Sequence, residues 1–303
     1  MQNILTLITN PAITKLDDII INRALMSLER KDAHIDNLSF LAPDEAMDIF
    51  FSEMEIPQAM EILTAKLADY KVDFIIQPNN GKRRKRLLIS DMDSTVINQE
   101  CIDEIADKIG LKQQVSEITE RAMNGELDFK EALRERVALL KGLPKSALDE
   151  VYAQNITLMN GAKELVHTMK KHGATCILVS GGFTFFTEKV AKDVGFNEQS
   201  ANILEINQEK LTGNVLEPIL DKEAKVAALK KAIAELDITS EDAIAVGDGA
   251  NDLPMLKAAG MGVAYHAKPV VQEQVNARIN HTGLKSLLYI QGYKEMEIGN
   301  GEE

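Results

Sequence analysis

Short apolar strands that each end in acidic or small polar residues are the feature that most limits how this chain can fold. Residues 87–90 lead into Asp91, residues 174–180 lead into a glycine pair, and residues 242–246 lead into Gly247. Helical patterns lie between these strands, and this alternation predicts a mostly parallel sheet in an α/β domain. Ligands of such sheets bind beyond the carboxyl ends of the strands. We therefore expect the three clusters to lie together at one edge of the sheet.

A change of composition at residues 79–86 indicates a boundary between two domains. Two asparagines and Gly81 are followed there by five basic residues, and Gly and Asn are typical of turns and linkers. The basic run also fits a nucleic-acid or membrane patch, but one short run in an acidic chain is more typical of a solvated linker. We predict domains over residues 1–80 and 81–303. A helical cap is predicted at about residues 101–171, because this connection is too long for one crossover helix.

The first 80 residues carry the pattern of a small α+β domain. Four apolar runs are suited to strands, and two segments have helical spacing. These segments are residues 3–9, 15–30, 35–41, 46–52, 58–70 and 72–77. Their order, β-α-β-β-α-β, predicts a ferredoxin-like sandwich of one sheet and two helices. The order resembles ACT-type domains, which implies an amino-acid effector at this domain or pairing of two chains as a homodimer, although no residue identifies a ligand.

The charge balance and the lack of long apolar runs argue against several classes of protein. The 303 residues include 34 Lys plus Arg against 47 Asp plus Glu, a formal net charge of −13. An acidic chain is poorly suited to nonspecific nucleic-acid binding, which recruits Lys and Arg to phosphates. No stretch approaches the roughly 20 apolar residues of a membrane helix, and residues 1–10 lack the basic start of a secretory signal. Two cysteines are too few for a disulfide framework, so we expect a cytoplasmic protein.

The first polar cluster, Asp91-Met92-Asp93-Ser94-Thr95, places two carboxylates two positions apart. Alternate side chains of extended backbone point to the same side, so Asp91 and Asp93 can face one pocket. Neighbouring carboxylates disfavour each other's ionisation unless a cation or a shared proton compensates, and Mg²⁺ prefers oxygen ligands. One carboxylate could then attack an electrophile while the other transfers a proton. Taken alone, this pattern more often marks a polar turn or a calcium-binding loop.

Two further clusters can hold an anion or complete a metal site. Ser180-Gly181-Gly182 offers a hydroxyl and unhindered backbone amides, which suit an anion, although a glycine turn is the simpler account of this cluster alone. In Gly247-Asp248-Gly249-Ala250-Asn251-Asp252, a helix start attracts anions, and a capped helix explains the turn but not its two acids. Lys225 lies in the preceding helix and can neutralise phosphate. Periodicity does not separate it from Lys222, Lys230 and Lys231.

Together and in this order, Asp-x-Asp-Ser-Thr, Ser-Gly-Gly, Lys and Gly-Asp-Gly-x-Asn-Asp resemble the haloacid dehalogenase superfamily of phosphohydrolases. Residues 91–104, 123–144, 179–183 and 245–252 are similar to the members that hydrolyse O-phosphoserine, and the likeness extends over about residues 87–292. The resemblance implies a Rossmann-like parallel sheet with an inserted helical cap. It also implies Mg²⁺-dependent hydrolysis of O-phosphoserine to serine and phosphate through an aspartyl-phosphate, the last step of serine biosynthesis.

The resemblance assigns the chemical steps to the two acids of the first cluster. Asp91 would be the nucleophile, and Asp93 would protonate the leaving serine oxygen and later deprotonate the attacking water. Mg²⁺ would be held by the Asp91 carboxylate, the Asp93 backbone carbonyl and Asp248. Asp252 would position the metal shell or Lys225. In phosphoryl transfer such groups act mainly by positioning and charge stabilisation.

Phosphate binding is implied for the residues that follow the later strands. Ser180, the Gly181 amide and Lys225 would hold the phosphoryl oxygens, and Lys225 is the nearby lysine that lies in the register of the superfamily. Asn251 would contact the phosphate side of the substrate. These roles leave the carbon skeleton of the substrate to be recognised by the helical insert.

In the insert, the resemblance implies that Glu100 binds the substrate ammonium and that Arg136 binds its carboxylate, for which the guanidinium fork is suited. Phe129 would cover the pocket, and Met123 would line it. The alternatives are an exposed acid for Glu100, a surface ion pair for Arg136 and core packing for Phe129. The core could also act on another small phosphomonoester or transfer the phosphoryl group to another alcohol. A third alternative is a sensor or interaction module built on residues 4–77.

Overall fold

The computed structural model describes residues 2–124, 126–299 and 301. Its N-terminal part is a four-stranded antiparallel sheet in the order β2-β3-β1-β4. The elements are β1 (Asn3–Thr9), α1 (Asp18–Glu29), β2 (His34–Ala42), β3 (Ala46–Ser52), α2 (Ile56–Leu67) and β4 (Val72–Pro78). The ferredoxin-like order predicted from the sequence is confirmed.

Strand β1 is buried along its whole length because each of its faces packs against a different core. Leu5 and Leu7 lie in one apolar cluster with residues of α1 and α2, while Ile8 joins the cluster of the second, larger part. This division follows from the two-residue period of a strand, which sends alternate side chains to opposite faces. The small sheet is therefore sandwiched between its own helices and the rest of the molecule.

The second part is built on a seven-stranded sheet in the order β11-β10-β9-β5-β6-β7-β8. Every neighbouring pair is parallel except β7 and β8, which form an antiparallel hairpin at one edge. The strands are β5 (Leu87–Ser90), β6 (Thr175–Phe183), β7 (Glu198–Asn207), β8 (Lys210–Leu216), β9 (Ala243–Gly247), β10 (Met261–Tyr265) and β11 (Ala277–Ile279). The predicted mostly parallel α/β fold is confirmed, and the β7–β8 hairpin is an addition to it.

Five helices connect β5 to β6. They are α3 (Cys101–Asp107), α4 (Lys112–Met123), α5 (Phe129–Leu139), α6 (Ser146–Asn155) and α7 (Ala162–Lys171). The first four pack on one another, whereas α7 packs against β6 and the helices beside it. We therefore propose that the cap consists of residues 101–155 and that α7 is the crossover helix of the sheet, which shortens the insert expected at 101–171.

The remaining helices complete the layers beside the sheet. They are α8 (Thr184–Val194), α9 (Lys222–Glu235), α10 (Leu253–Ala258), α11 (Pro269–Gln272) and α12 (Ser286–Tyr289). Asp221 caps α9 by accepting hydrogen bonds from the amides of Glu223 and Ala224, which fixes where the helix begins. Within residues 2–124, 126–299 and 301, no helix combines the length and the apolar character needed to cross a membrane.

The basic run at residues 82–86 makes ion pairs and hydrogen bonds with both domains. Its ion pairs are Lys82 with Glu241 at 2.6 Å, Arg83 with Asp48 at 2.6 Å and Arg84 with Glu297 at 2.7 Å. The Lys85 ammonium donates to the backbone carbonyls of Lys82 and Glu241. These contacts favour a packed linker over a nucleic-acid or membrane patch.

Candidate active site

The carboxyl ends of β5, β6 and β9 meet at the middle of the larger sheet, as the sequence predicted. Asp91 follows β5 directly, Ser180 lies near the end of β6, and Asp248 follows β9. All three are at most 3% exposed. Strand β6 continues through the glycine pair to Phe183 rather than ending before it, so the second cluster is extended backbone and not a turn.

Lys225 lies at the centre of the site with no solvent exposure. Its ammonium donates to Asp91 Oδ1 at 2.7 Å and to Asp252 Oδ1 at 2.6 Å. Burial alone would lower the pKa of Lys225, but Asp252 and Asp91 hold it above its ordinary value. The lysine therefore stays charged, and the alternative of a surface lysine is excluded for this position.

Asp93 is held away from Lys225 by a separate set of hydrogen bonds. Its Oδ1 accepts from the amide of Cys101 at 2.8 Å, and its Oδ2 accepts from the Ser180 hydroxyl at 3.1 Å. Burial raises the pKa of Asp93, although these hydrogen bonds oppose the rise. A raised pKa favours the protonated form of the carboxyl group, which is the form that a general acid requires.

Three carboxylates form an acidic cluster at the ends of β5 and β9. One oxygen each of Asp91, Asp248 and Asp252 lies within 4.8 Å of the others. Burial raises the pKa of Asp91 to about 7, with Asp252 adding to the rise and Lys225 opposing it. Burial, followed by the charges of Asp252 and Asp91, also raises the pKa of Asp248 well above its ordinary range. One lysine does not balance this many buried acids, and a divalent cation with oxygen ligands fits the excess.

Asp252 has both carboxylate oxygens occupied by protein donors. Besides accepting from Lys225 with Oδ1, it accepts from the amides of Asp248 and Gly249 with Oδ2, at 3.2 and 3.1 Å. Asp248 makes one side-chain contact of this kind, a 3.2 Å hydrogen bond from the Thr95 hydroxyl. Among the described residues, Asp248 is therefore the more available metal ligand, and Asp252 orients the lysine and the loop.

The glycine pair at the end of β6 and Asn251 line the wall of the pocket. A side chain added at Gly182 would place its Cβ 2.6 Å from Asp93 Oδ2, and one at Gly181 would lie 2.8 Å from the ring of Phe129. Asn251 is 7% exposed, and its Oδ1 has no hydrogen-bond partner among the described residues. An unpartnered buried amide oxygen is costly, and one that lines a pocket indicates that a ligand or water pairs with it.

Residues of opposite charge from the cap and from the segment just before it line the same pocket. Glu100, Met123, Phe129 and Arg136 line it together with Asp91 and the glycine pair, and the enclosed cavity is about 20 Å³. Glu100 accepts from the Ser94 hydroxyl at 2.6 Å, and burial raises its pKa well above the ordinary range.

Arg136 is buried rather than paired on the surface. It is 3% exposed, and its described hydrogen bonds go to the Ala132 carbonyl and to the Thr119 hydroxyl. No carboxylate of the described residues lies within ion-pair distance of its guanidinium. The surface alternative is therefore wrong, and a buried guanidinium without an acid is suited to an anionic ligand.

The cap also contacts the core directly at the mouth of the pocket. The amide of Ala250 donates to the carbonyl of Met123 at 3.0 Å, which joins the end of α4 to the loop after β9. A cavity of about 20 Å³ holds roughly one water molecule. The structure is thus a closed form of the site, and a larger ligand requires the cap to move.

Sequence reasoning missed three parts of this site. Thr95 was recognised as part of the first motif but not as the partner of Asp248, and the Cys101 amide was not recognised as a donor to Asp93. Thr119 carries no motif at all. A backbone amide or a hydroxyl on a cap helix leaves no pattern in the sequence, because its role depends on which element it meets after folding.

Comparison with known proteins agrees with this geometry. Residues 88–257 match the family model of haloacid dehalogenase-like hydrolases. A phosphoserine phosphatase of Polaromonas sp. is 49% identical over 208 residues, which are 67% of this chain and 88% of that protein. A HAD family hydrolase from Salmonella enterica subsp. enterica serovar Typhi has a TM-score of 0.83 at 32% identity, covering 96% of this chain and 98% of its own. A solved phospho-aspartyl intermediate analogue of phosphoserine phosphatase has a TM-score of 0.65 at 39% identity, covering 68% of this chain and 98% of that one. The chain therefore belongs to the haloacid dehalogenase-like hydrolase family.

Proposed function

We propose that this protein is a Mg²⁺-dependent phosphoserine phosphatase, which hydrolyses O-phosphoserine to serine and phosphate. The observation that carries the proposal is one closed pocket that joins Asp91 and Asp93 to Glu100 and Arg136. Asp91 and Asp93 suit phosphoryl transfer. Glu100 and Arg136 have charges opposite to those of the ammonium and carboxylate groups of an amino acid. The names of the similar proteins, phosphoserine phosphatase among them, support the same substrate.

In the first step, Asp91 attacks phosphorus. Lys225 holds Asp91 Oδ1 at 2.7 Å, and the other carboxylate oxygen has no hydrogen-bond partner among the described residues, so it is available as the nucleophile. A bond forms between this oxygen and phosphorus while the bond from phosphorus to the serine oxygen breaks. Asp93 gives its proton to the departing oxygen, which leaves as the hydroxyl of serine.

In the second step, Asp93 takes a proton from a water molecule that attacks the aspartyl-phosphate. The bond from phosphorus to Asp91 breaks, phosphate leaves, and both carboxyl groups return to their starting states. The Ser180 hydroxyl and the Cys101 amide keep Asp93 in place for both proton transfers. Lys225, Ser180, the Gly181 amide and Asn251 are proposed to hold the phosphoryl oxygens.

The acidic cluster is proposed to hold Mg²⁺ through the Asp91 carboxylate, the Asp93 backbone carbonyl and Asp248. When bound, the ion supplies positive charge that offsets the negative charge of the phosphoryl oxygens and of the buried carboxylates. Asp252 is excluded from this proposed set because Lys225 and two amides already occupy its oxygens.

Substrate recognition is proposed for Glu100, which directly precedes the cap, and for Arg136 within it. Glu100 would bind the ammonium group of phosphoserine, and Arg136 would bind its carboxylate. Since the closed cavity of about 20 Å³ is far smaller than an amino-acid phosphate, binding requires the cap to open and to close again. The product would be free serine, which places the reaction at the end of serine biosynthesis, and the two free buried cysteines are compatible with a cytoplasmic setting.

The role of residues 1–80 is a separate proposal. We propose that the two domains divide between residues 80 and 81. The first domain would either bind an amino-acid effector or pair two chains as a homodimer. Light scattering of the full chain measures its mass, and the rate of phosphate release with added serine measures feedback. A monomeric mass and an unchanged rate would leave this domain without either role.

Phosphate release from O-phosphoserine tests the proposed chemistry. We expect release by the wild type with Mg²⁺, none after chelation with EDTA, recovery when Mg²⁺ is restored, and none by Asp91→Asn. Asp69→Asn is the matched control, because Asp69 is an exposed acid far from the motif. Release by Asp91→Asn at the wild-type rate would contradict the proposal.

Substrate comparison tests recognition separately from chemistry. Phosphoserine, phosphothreonine and a generic aryl phosphate share the phosphoryl group but differ in the part that the cap would bind. Arg136→Ala should reduce the rate on the two amino-acid phosphates more than the rate on the aryl phosphate. An equal loss on all three would refute the carboxylate role of Arg136 and favour another phosphomonoester as the substrate.

A further inference from the structure

A chain of hydrogen bonds runs across three cap helices and ends at Arg136. Asp103 lies on α3, Thr119 on α4 and Arg136 on α5. Arg136 Nη1 donates to the Thr119 hydroxyl oxygen at 2.9 Å, and the same hydroxyl lies 2.8 Å from Asp103 Oδ1. The three helices are joined at this point by polar side chains.

Which group donates in each of these hydrogen bonds follows from the single proton on the Thr119 hydroxyl. Because a guanidinium can only donate, the hydroxyl oxygen accepts from Arg136, and its own proton must go elsewhere. Two acceptors are in reach, Asp103 Oδ1 at 2.8 Å and the Val115 carbonyl at 3.0 Å. The carboxylate is the stronger and closer acceptor, so Thr119 links the negative charge of Asp103 to the positive charge of Arg136.

Asp103 is itself fixed in place. Its second oxygen accepts from the Ser116 hydroxyl at 2.7 Å, so both oxygens are bound to α4. Thr119 is only 3% exposed, and water cannot readily replace its hydroxyl. The backbone carbonyl of Ala132, at 3.1 Å from Nε, holds the other side of the guanidinium. The described contacts leave Nη2 as the nitrogen without a protein partner.

We propose that Thr119 is a positioning residue that, together with Asp103, aims the Arg136 guanidinium at the carboxylate of the substrate. The inference rests on the proposed function, because it assumes that Arg136 binds this carboxylate. A guanidinium held at Nε and Nη1 cannot rotate, so the two N–H groups of Nη2 point in fixed directions before the substrate arrives. Such preorganisation reduces the ordering that binding would otherwise require.

The effect of removing the hydroxyl should appear in substrate binding. Thr119→Val keeps the shape of the side chain but leaves Nη1 without its acceptor. A hydrogen bond to a charged group is typically worth enough to change binding about 10-fold. Because the carboxylate does not react, its contact is the same before and during phosphoryl transfer, and its loss raises KM rather than lowering kcat.

The experiment measures kcat and KM on O-phosphoserine and on phosphoethanolamine, which has the ammonium and phosphate groups but no carboxylate. For Thr119→Val we expect an increase of about 10-fold in KM for phosphoserine and a fall of about 10-fold in the preference for phosphoserine over phosphoethanolamine. Thr119→Ser retains a hydroxyl and should restore most of the preference. A preference equal to that of the wild type in Thr119→Val, or equal losses on both substrates, would overturn the inference.

A second variant separates positioning from folding. If Thr119→Val does not fold, as judged by circular dichroism, Asp103→Asn decides the question because it keeps the shape, removes the charge and replaces one of the two acceptor oxygens with an NH2 donor. The same fall in preference supports the inference, and an unchanged preference overturns it. If the wild type releases no phosphate from phosphoserine, the proposed function fails and this inference fails with it; a failure confined to the variants leaves the proposed function intact.

Discussion

Replacing Arg83 should destabilise the protein far more than replacing its neighbour in the same basic run. Arg83 donates two hydrogen bonds to Asp48, at 2.6 and 2.7 Å, and others to the Thr6 hydroxyl and to the carbonyls of Tyr289 and Ile290. The side chains of the ion pair are 16% and 2% exposed. This one residue therefore ties the small sheet to the end of the larger domain.

The cost of Arg83→Met follows from the carboxylate that it leaves behind. Asp48 would keep its 2.8 Å hydrogen bond from Thr6 but would lose its only described cation in a buried setting. Breaking a buried ion pair in this way costs about 3–5 kcal/mol of unfolding free energy. At an m-value of about 3 kcal/mol/M, a loss of about 3 kcal/mol lowers the urea midpoint by about 1 M.

Urea unfolding followed by circular dichroism measures this midpoint. Lys82→Met is the matched control, because its ion pair with Glu241 has partners that are 46% and 60% exposed, and exposed pairs contribute little. Adding Asp48→Asn to Arg83→Met removes the unpaired carboxylate charge and should recover part of the lost unfolding free energy. Equal midpoints for Arg83→Met and Lys82→Met would refute the reasoning.

Three further predictions concern the active site. Lys225→Met should lower kcat at least about 100-fold because charge stabilisation is lost. Lys230→Met, on the exposed side of the same helix, should not lower kcat. Similar rates for the two variants would contradict the phosphate-binding role of Lys225. Gly182→Ala should lower kcat about 100-fold without unfolding, because its Cβ would lie 2.6 Å from Asp93 Oδ2 and would displace the acid; a normal rate would show that the acid tolerates displacement. Glu100→Gln should raise KM about 10-fold for phosphoserine and less for 3-phosphoglycerate, which has a hydroxyl in place of the ammonium; equal changes would refute ammonium binding.

The sequence predicted the parts of the fold that depend on local pattern. Strands of alternating or continuous apolar residues and the polar clusters that end them are visible in the chain, and parallel topology then brings Asp91, Ser180 and Asp248 together. The β7–β8 hairpin was not predicted, because its pairing depends on contacts with α5 and on the edge of the sheet. The proposed shorter cap, which ends before α7, could not be predicted because α7 has the same helical pattern as the cap helices.

The site could be predicted in its residues but not in its contacts. Periodicity alone does not distinguish Lys225 from three neighbouring lysines, and only the packing of α9 beneath the sheet makes it the buried one. The bonds that saturate Asp252 join positions three, four and 27 residues apart. The line from Asp103 through Thr119 to Arg136 exists only because three cap helices meet. Such relations arise from tertiary structure and leave no local signal.

The most direct test of the proposed mechanism is the covalent intermediate on Asp91. Rapid acid quench of the wild type during turnover of O-phosphoserine labelled at phosphorus should leave label on the protein. Peptide mapping should place that label on Asp91, and Asp91→Asn should carry none. Turnover without protein-bound label in a quench fast enough to precede hydrolysis, or label at another residue, would contradict nucleophilic attack by Asp91.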